Sequence, residues 1–504
     1  MTLSRNLLHS LSRSTRLPGT PSTLSRRSFA SSSRQRNVIR ELEERGMLSE
    51  LTSRAARTHV DKPTTVYLGV DPSASSLHVG NLLALIGLLH FRLQGHNAVV
   101  LIGGGTGAIG DPSGRSTERN ALAPEALAAN IDGITEQLTS FLDRGVAFAQ
   151  SRTRRRDGGG GAEPEKGSIQ IVNNLDWLGK ISLIDFLSTA GKMARVSTML
   201  SRESVKSRLD SSSGLSFTEF SYQLLQAFDF LRLHRDLGCT MQLGGSDQLG
   251  NIVSGIDMIR RDNLVKAGAV DGADAKEGED PAFGLTFPLL TTASGEKFGK
   301  SAGNAIWLNP SMTSPFDLYQ FFLRTTDEEV EKYLKIFTFI RVVELEGIMH
   351  DHKAAPKNRI AQKVLAAEAT ELIHGFEGLR QALAATSAFY GSDLASRSDI
   401  PSLIAALDAA PSSSSSTVTI PSLITRLSKA DFVGQALEKV VLASGLLASK
   451  TQARKAIEAG TIQLNGKKVP PKSHQRTISE ADLLDGRLLV VKVGKSVHKA
   501  VLLE

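Results

Sequence analysis

Two short segments of this 504-residue chain carry side chains suited to binding the phosphates of a nucleotide. His78, Gly80 and Asn81 lie where the pattern predicts the start of a helix, which exposes unpaired N–H groups and a partial positive charge. Lys297 and Lys300 bracket a glycine in the sequence KFGKS, a loop that can neutralise the charge of a triphosphate. Each segment alone is commonplace. Together, in this order, they predict a nucleoside triphosphate site.

The glycine-rich segment 105–110, GTGAIG, matches the GxGxxG pattern of dinucleotide-binding folds and follows a predicted strand. In those folds the third glycine opens a helix, but Gly110 is followed by DPSG, a turn-forming sequence. No strand ending in an acidic residue follows at the usual distance. A dinucleotide-dependent oxidoreductase is therefore only a minor alternative.

Three polar residues share one face of a helix predicted over Ser216–Leu233. Tyr222, Gln226 and Asp229 are spaced by four and three residues, which places them on the same side. The rest of the segment is rich in Phe and Leu, so we expect Asp229 to be buried and to need a partner. The hydroxyl of a phenol would supply one, with Tyr67 on the first predicted strand as a second contact.

The elements that must position these residues follow a strand–helix–strand order. Predicted strands at Thr65–Val70 and Ala98–Ile102 flank a long apolar helix at Val79–Leu93. This order predicts a βαβ unit, a parallel sheet and an α/β fold. Further expected elements are a strand at 169–172 and helical segments at 39–56, 316–348 and 356–390. Segments 151–167 and 267–280 are predicted to be surface insertions.

The start of the long helix should bring His78 close to a bound phosphate. Ser75 or Ser76 is expected to cap the helix, and His78 is expected in its first turn. Gly80 would leave space for the base of the nucleotide.

Composition and charge limit the class of protein. The sequence contains no run of about 18 apolar residues, the length that a membrane-spanning helix needs. Cys239 is the only cysteine, which excludes an internal disulfide framework and a cysteine metal site. The net charge of +7 is uneven: residues 1–40 carry +8 and residues 428–504 carry +6, so the residues between them carry −7.

Residues 1–36 have the composition of a mitochondrial transit peptide. They are rich in Arg and Ser and contain neither Asp nor Glu. Leu3, Leu7, Leu8 and Leu11 recur at helical spacing, which makes a cationic amphipathic helix available. We expect cleavage near Phe29 or a little later. The alternative is a disordered basic tail that contacts RNA.

The C-terminal end is predicted to be a separate basic module. Residues 411–427, beginning PSSSSST, are expected to be a linker and residues 428–504 the module. A helix over 449–459 ends at Gly460 and precedes a strand–turn–strand over 461–469. The residues expected to form an RNA-binding surface are Lys450, Arg454, Lys455, Lys467 and Lys468.

Six segments together resemble class I aminoacyl-tRNA synthetases, and within them the tyrosyl-tRNA synthetases of bacteria and mitochondria. They are YLGVDPSASSLHVGN, GGGTGAIGDPSGRSTER, NNLDWLG, SFTEFSYQLLQAFDFL, QLGGSDQLGN and KFGKS. The resemblance implies a Rossmann-like parallel-sheet catalytic domain (37–305), an α-helical anticodon-binding domain (306–410) and a small α+β RNA-binding domain (428–504). The Tyr67 and Asp229 pair separates the chain from the related tryptophanyl-tRNA synthetases.

The resemblance also implies roles for single residues. Tyr67 and Asp229 would bind the hydroxyl of L-tyrosine, and the rest of its pocket would be Asp111, Asn174, Tyr222, Gln226 and Gln248. The residues implied to bind ATP or the adenylate are Gly69, Asp71, Gly80, Asn81, Gly245, Asp247, Lys297, Lys300 and Ser301. Those implied to act on the phosphates are Ser73, His78, Arg115, Arg119, Lys297 and Lys300.

The same resemblance implies partners and departures from the family pattern. The partners would be ATP, Mg²⁺ carried with ATP, L-tyrosine and tRNA(Tyr), with no structural metal and no membrane. A homodimer in the mitochondrial matrix is expected. The departures are Leu68 for a common Cys, Asn81 for His, Arg115 for Lys and Leu249 for Trp. An additional or sole RNA-binding role, such as assistance to group I intron splicing, is the alternative.

Overall fold

The computed structural model describes residues 37–504 except 112, 114–121, 155–166, 210–213, 269–279, 292–299, 302–303, 391–399, 402–403, 406–423 and 495–496. The predicted transit peptide at 1–36 lies outside the described residues. The part that follows it forms one unit by its internal contacts.

A mixed sheet organises the first half of the chain. Its strands are β1 (Glu50–Leu51), β2 (Thr65–Val70), β3 (Asn97–Ile102), β4 (Ile169–Asn173), β5 (Cys239–Gly245) and β6 (Phe283–Phe287). In the described residues their order is β1–β6–β5–β2–β3–β4. Strands β2 to β6 pair with one another in parallel, and β1 is antiparallel to β6. The predicted parallel sheet is confirmed.

Helices cover both faces of this sheet. They are α1 (Val38–Glu44), α2 (Ala56–His59), α3 (Val79–Leu93), α4 (Thr106–Ile109), α5 (Pro124–Arg154), α6 (Leu175–Leu178), α7 (Leu183–Phe186), α8 (Val196–Leu200), α9 (Glu203–Leu209), α10 (Phe217–Leu237) and α11 (Leu249–Lys266). Alternate residues of β2 face opposite cores: Val66 and Leu68 pack with α3, and Tyr67 packs with α10 and α11.

The prediction of one helix over residues 39–56 is wrong. The helix ends at Glu44, because Gly46 adopts a φ of 69° and Met47 N–H donates back to Leu42 O at 2.8 Å. The chain then forms β1, whose Leu51 pairs with Leu285 of β6. The leucine spacing could not reveal this edge strand, because its partner lies far away in the sequence.

The surface insertion expected over 151–167 begins inside a helix. Residues 151–154 complete α5, and Arg152 forms ion pairs with Glu368 and Glu371 at 3.0 and 2.8 Å. Its guanidinium also lies 4.4 Å from the centre of the Phe148 ring. Arg152 is therefore packed against the following part of the protein. Residues 155–166 lie outside the described part of the chain.

The next part of the chain is helical, as expected. A short hairpin of β7 (Lys300–Ser301) and β8 (Asn304–Ala305) precedes four helices: α12 (Pro315–Leu323), α13 (Val330–Phe337), α14 (Val342–Ala354) and α15 (Ile360–Tyr390). The segment expected over 316–348 is thus divided among three helices. Gly375 interrupts α15 with a φ of 72°. Within the described residues, every helix is too short or too polar to cross a bilayer.

The C-terminal part is built on a second sheet. Its elements are β9 (Ile424–Leu427), α16 (Lys429–Phe432), α17 (Leu437–Ala443), α18 (Lys450–Glu458), β10 (Ile462–Leu464), β11 (Lys467–Lys468), β12 (Leu488–Val493) and β13 (Val497–Leu503). The described strands follow the order β11–β10–β12–β13–β9. The predicted turn is confirmed, since Asn465 and Gly466 both have positive φ, as a tight hairpin requires.

The predicted linker is too long at its C-terminal end. Residues 424–427 form β9, which pairs in parallel with β13 from Ala500 to Leu503. The rest of the linker, 411–423, lies outside the described residues. One face of this sheet packs on α17 and α18, and the other places Leu488 and Val490 against Phe316 and Phe389 of the helical part.

Candidate active site

Within the described residues, Asp71, Asp247 and Gln248 of the predicted site lie at the carboxyl ends of the parallel strands. Asp71 follows β2, the glycines at 103–105 follow β3, and Asp247 and Gln248 follow β5. Strand β2 lies between β3 and β5, so the strand order reverses between β2 and β5. In open α/β sheets the crevice at such a reversal is where ligands bind.

His78 caps the long helix, in place of the expected Ser75 or Ser76. It lies just outside the first turn with an extended backbone, and its Nδ1 accepts a hydrogen bond from Gly80 N–H at 3.0 Å. Asn81 completes a capping box by accepting from His78 N–H at 3.1 Å. The imidazole is thereby oriented, and in the neutral ring the proton is on Nε2.

Asp71 is the centre of a hydrogen-bond cluster. The Tyr222 hydroxyl donates to Asp71 Oδ2 at 2.8 Å, and the Thr106 hydroxyl donates to Asp71 Oδ1 at 2.9 Å. Burial, then the nearby Asp71 and Asp111 carboxylates, raise the pKa of Tyr222 well above its usual value. Tyr222 therefore stays protonated and acts as a donor.

A second cluster connects Asp111 with two glutamines. Gln248 Nε2 donates to Asp111 Oδ2 at 2.7 Å, and Gln226 Nε2 donates to Gln248 Oε1 at 3.3 Å. Asn251 Nδ2 donates to Gln226 Oε1 at 3.0 Å and to Ser113 Oγ at 3.2 Å. With Asp71 close by, this cluster is acidic and suited to a cationic group.

Asp229 lies deep in the same region and is fully buried. Trp177 Nε1 donates to its Oδ1 at 2.7 Å, and Asn174 Nδ2 donates to its Oδ2 at 2.8 Å. Burial raises the pKa of Asp229 to about 7, although these two hydrogen bonds oppose the shift. Burial and then the Asp229 charge raise the pKa of Tyr67, whose buried hydroxyl has no hydrogen-bond partner among the described residues.

The groups expected to contact the nucleotide are accessible. Gly69, Ser73, Gly80 and Asp247 are exposed. A Cβ on Gly103 would lie 2.0 Å from Asp71 Oδ1, so a glycine is needed where β3 meets the Asp71 cluster. A Cβ on Gly245 would lie 2.5 Å from Asp247 Oδ1, so a side chain there would displace the exposed Asp247 carboxylate.

Part of the phosphate-binding prediction falls beyond the described residues. Arg115, Arg119 and Lys297 all lie outside them. The backbone of Lys300 and Ser301 forms β7, which pairs with β8. Further along, Trp307 forms an antiparallel β-bridge with His78, so the segment after the hairpin runs beside the backbone at the start of α3.

Comparisons with known proteins agree with this geometry. Residues 59–391 match the family model described as tRNA synthetases class I (W and Y), and residues 424–501 match that of a tyrosine–tRNA ligase SYY-like C-terminal domain. The mitochondrial tyrosine–tRNA ligase of Rattus norvegicus is 46% identical over 72% of this chain and 71% of its own length. The tyrosine–tRNA ligase of Opitutus terrae is 39% identical over 92% of this chain and 99% of its own. The chain belongs to the tyrosine–tRNA ligase family of class I aminoacyl-tRNA synthetases.

A solved structure supports the same membership for this synthetase. The C-terminally truncated mitochondrial tyrosyl-tRNA synthetase of Aspergillus nidulans matches with a TM-score of 0.59 at 35% identity, over 68% of this chain and 91% of that one. The dinucleotide alternative is thereby set aside. The segment 105–110 forms only the short α4, which ends at Gly110 with a φ of 87°.

The basic residues of the synthetase's C-terminal module are not equivalent. Lys450 and Arg454 both contact the buried Glu438, at 3.0 Å each, so their charge is partly compensated. Lys467 and Lys468 form the exposed edge strand β11, and Lys455 lies in the last turn of α18.

Three residues around the pocket of the synthetase have contacts that the sequence did not indicate. They are Trp177, Thr106 and Asn251, which donate to Asp229, Asp71 and Gln226 respectively. Trp177 lies in the NNLDWLG segment, but its sequence context gives no reason to pair it with an acid on α10. Among the described residues, no group of three or more His, Cys, Asp or Glu side chains could hold a metal ion.

Proposed function

We propose that this synthetase uses ATP to activate L-tyrosine as tyrosyl-adenylate and then transfers the tyrosine to tRNA(Tyr) in mitochondrial translation. The observation that carries the choice of amino acid is the pairing of Asp229 with Tyr67. The buried carboxylate of Asp229 acts on the buried Tyr67 hydroxyl, which has no hydrogen-bond partner in the described part of the chain, and this fits a substrate that carries its own hydroxyl. Phenylalanine has no hydroxyl, so it would give Asp229 no donor beyond Trp177 and Asn174 and would leave the Tyr67 hydroxyl without a ligand partner. Tyrosyl-tRNA synthetases are the established example of this cost, with discrimination against phenylalanine of about 10⁵.

The acidic cluster above this pair suits the α-ammonium group of tyrosine. Asp71 and Asp111 lie near the Tyr222 hydroxyl, and Gln226 is hydrogen-bonded to Gln248, which in turn donates to Asp111. We assign Tyr222, Gln226 and Gln248 to the ammonium end, with Asp111 and Asn174 in the pocket wall. This arrangement would hold the carboxylate of tyrosine toward the nucleotide.

The chemical step requires positioning and charge stabilisation, with no covalent enzyme intermediate. A carboxylate oxygen of tyrosine attacks the α-phosphorus of ATP, and the bond to the bridging oxygen breaks to release pyrophosphate. His78 and Ser73 would contact the γ-phosphate, and Arg115, Arg119, Lys297 and Lys300 would bind the leaving pyrophosphate. Gly69, Asp71, Gly80, Asn81, Gly245, Asp247 and Ser301 would surround the adenylate. Mg²⁺ arriving with ATP would neutralise part of the phosphate charge.

The second step uses the same pocket. The terminal ribose hydroxyl of tRNA attacks the adenylate carbonyl carbon, and AMP leaves. The RNA would be held by Lys450, Arg454, Lys455, Lys467 and Lys468 of the C-terminal module through its backbone phosphates.

Amino-acid-dependent exchange of pyrophosphate into ATP tests the activity. Assayed with each of the twenty amino acids, the protein should exchange with tyrosine alone. Exchange with tryptophan instead would overturn the assignment. Asp229→Ala and Lys300→Ala should abolish aminoacylation while tRNA binding persists, and full aminoacylation by both would favour a role in RNA binding alone.

We also propose a homodimer. Large apolar side chains are exposed on consecutive elements from α7 to the start of α10: Leu183, Ile184, Leu187, Val196 and Phe217. Ile184 and Phe217 are each 78% exposed, and such apolar groups usually mark a protein interface. Ile184→Asp should convert the dimer to a monomer in sedimentation analysis. Val265→Asp, at a 70% exposed site on the distal end of α11, is the control that should remain dimeric.

We place the protein in the mitochondrial matrix. The mitochondrial relatives and the composition of residues 1–36 support this location. A reporter fused to residues 1–36 should become resistant to external protease in isolated mitochondria, and a reporter that stays accessible would contradict the proposal.

A further inference from the structure

The loop that carries Ser73 and His78 is held by three residues of helix α5. Asn130 Nδ2 donates to Pro72 O at 3.1 Å, near the start of the loop. Gly133 lies so close that a Cβ there would be 2.8 Å from Ser75 O. Gln137 contacts the end of the loop. The spacing of three and four residues places all three on one face of the helix.

Gln137 makes the two contacts nearest to His78. Its Oε1 accepts from Leu77 N–H at 2.8 Å, and its Nε2 donates to Ser76 Oγ at 3.1 Å. The buried Ser76 hydroxyl donates in turn to Leu77 O at 2.8 Å. Gln137 thereby binds the Ser76–Leu77 peptide directly, and through the Ser76 hydroxyl it is connected to the carbonyl of Leu77, which precedes the His78 cap.

The same point connects to the segment that follows the Lys300 hairpin. Asn309 N–H donates to Ser76 Oγ at 3.2 Å, and Leu308 N–H donates to Leu77 O at 2.8 Å. Val79 N–H donates to Ile306 O at 2.9 Å on the other side of the cap. The segment that follows the Lys300 hairpin is therefore connected to the His78 loop at Ser76 and Leu77, where Gln137 also contacts that loop.

Helix α5 is well suited to act as a fixed support. Ile134 and Leu138, adjacent in sequence to Gly133 and Gln137, are buried in the main core, as is Phe141 one turn further along. Arg152, at the far end of α5, forms ion pairs with α15. A displacement of the loop relative to α5 would therefore have to break its hydrogen bonds to the helix.

We propose that Gln137 is a positioning residue for the activation step: through Ser76 and Leu77 it sets the place of His78 relative to Ser73 and to the segment that follows the Lys300 hairpin. The inference rests on the proposed function, since it concerns the transfer of the adenylyl group. In the described part of the chain the hydrogen bonds of Gln137 are to Ser76 and Leu77, at the end of the loop. The tyrosine pocket is formed by other elements, apart from Asp71 at the start of the loop. Gln137 should therefore affect the rate of activation and leave the affinity for tyrosine unchanged.

Gln137→Met tests this role, because methionine matches the length of glutamine and lacks both hydrogen-bonding groups. The rate of tyrosyl-adenylate formation, measured in a single turnover and divided by the number of titrated active sites, should fall about 10- to 100-fold. Small misplacements of reacting groups cause losses of this size. The Kd of tyrosine, measured without ATP, should stay within about two-fold of wild type. Glu136→Met, at the adjacent exposed position, is the matched control and should react at the wild-type rate.

Gly133→Ala is a second, independent variant, and it decides the matter if Gln137→Met does not fold. The added methyl group would press on Ser75 O from the same helix face and displace the loop. The protein should unfold cooperatively, retain its tyrosine affinity and form adenylate more slowly. Combined with Ser73→Ala, Gln137→Met should show less than the sum of the two separate losses, because both act on one loop.

Two failures are distinguishable. A wild-type protein without tyrosine-dependent exchange refutes the proposed function itself. A wild-type protein that exchanges, with Gln137→Met and Gly133→Ala equally fast per active site, refutes only the positioning role. A loss of tyrosine affinity as large as the loss of rate would also refute it, since that is the pattern of general structural damage.

Discussion

Trp177 and Asp229 are joined by a hydrogen bond of 2.7 Å from the indole Nε1 to Oδ1, although they lie on separate helices. Burial alone would favour the neutral acid, and it raises the pKa of Asp229 to about 7. Trp177 and Asn174 oppose that shift by donating to the ionised form. The two donors thus keep Asp229 able to accept a hydrogen bond from a substrate hydroxyl near neutral pH.

Trp177→Phe should weaken tyrosine binding in a pH-dependent way. Loss of the indole donor raises the pKa of Asp229 further, and hydrogen bonds to charged groups contribute about 1.5–3 kcal/mol. The pH below which the KM for tyrosine increases should move upward, with a roughly ten-fold or larger increase in KM at pH 7. Pyrophosphate exchange measured from pH 6 to 9 checks this. Asp176→Asn, at the exposed neighbouring position, should leave the profile unchanged, and an unchanged profile in Trp177→Phe would contradict the role.

Asp229→Asn should show that the buried negative charge of Asp229 lowers the stability of the protein at neutral and alkaline pH. The folded-state pKa, about 7, exceeds the unfolded value, so the folded state binds the extra proton between about pH 4 and pH 7. The contribution of Asp229 to the free energy of unfolding is therefore largest at acidic pH and is lost as the pH rises through 7. Asn cannot ionise, so the variant should be more stable than wild type above pH 7, and this advantage should shrink toward pH 5. Urea unfolding across this range checks it, and a constant difference would contradict the burial of an ionised Asp229.

Local patterns in the sequence were sufficient for much of the fold. The period of 3.6 residues placed Tyr222, Gln226 and Asp229 on one face of α10, and the structure places Asp229 in its buried side. The βαβ order predicted the β2–α3–β3 unit, which fixes Asp71 and His78 at the carboxyl edge of the sheet. These features depend on residues close together in the chain.

Features that depend on distant residues were missed. Strand β9 lay within the predicted linker because its four residues become a strand only by pairing with β13. The contact of Trp177 with Asp229 joins segments that no periodicity relates. The sequence predicts His78 in the first turn of the helix, but His78 is the cap and lies one position before that turn. The prediction chose one of the two nearby serines as the cap because serine is a common capping residue and a histidine accepting through Nδ1 is an unusual one.

His96 should make the protein sensitive to acid. It is buried, its Nδ1 accepts from Thr64 N–H at 3.2 Å, and burial followed by the charge of His59 lowers its pKa to about 4. The unfolded chain binds a proton near pH 6.5 that the folded protein excludes, so the free energy of unfolding should fall as the pH drops from about 6.5 to 4.

His96→Gln should make that dependence shallower by the share of His96, since an amide oxygen can still accept from Thr64 N–H but cannot titrate; His90 and His374, whose pKa values burial also lowers, keep theirs. Thermal unfolding midpoints between pH 7 and 4.5 provide the measurement. His350→Gln, at an 85% exposed side chain, should behave as wild type. An equally steep profile in His96→Gln would show that other groups cause the acid loss.

The buried ion pair of Arg208 and Glu219 should be costly to break. The two side chains lie 2.7 Å apart with exposures of 1% and 3%, and Glu219 is in the first turn of α10, which carries Tyr222. Glu219→Gln should lower the free energy of unfolding by about 3–5 kcal/mol, because removing one partner leaves a buried charge. Glu44→Gln breaks the exposed pair with Arg40 and should cost less than about 1 kcal/mol. The double variant Arg208→Met with Glu219→Leu should recover most of the loss. Equal costs for Glu219→Gln and Glu44→Gln would be inconsistent with the buried geometry.

The contacts of Glu438 predict that basic residues of the C-terminal module contribute unequally to tRNA binding. Lys468 lies on an exposed edge strand, so Lys468→Ala should weaken tRNA binding and reduce the slope of log Kd against log salt by about 1. Arg454 is partly neutralised by Glu438, so Arg454→Ala should change the slope less and should lower the stability of the module. Filter-binding titrations at several salt concentrations, with thermal unfolding in parallel, measure both effects. Equal changes of slope for the two variants would contradict this prediction. They would mean that Arg454 leaves Glu438 and binds a phosphate when RNA binds, so that the ion pair seen without RNA does not determine which residues contact the RNA.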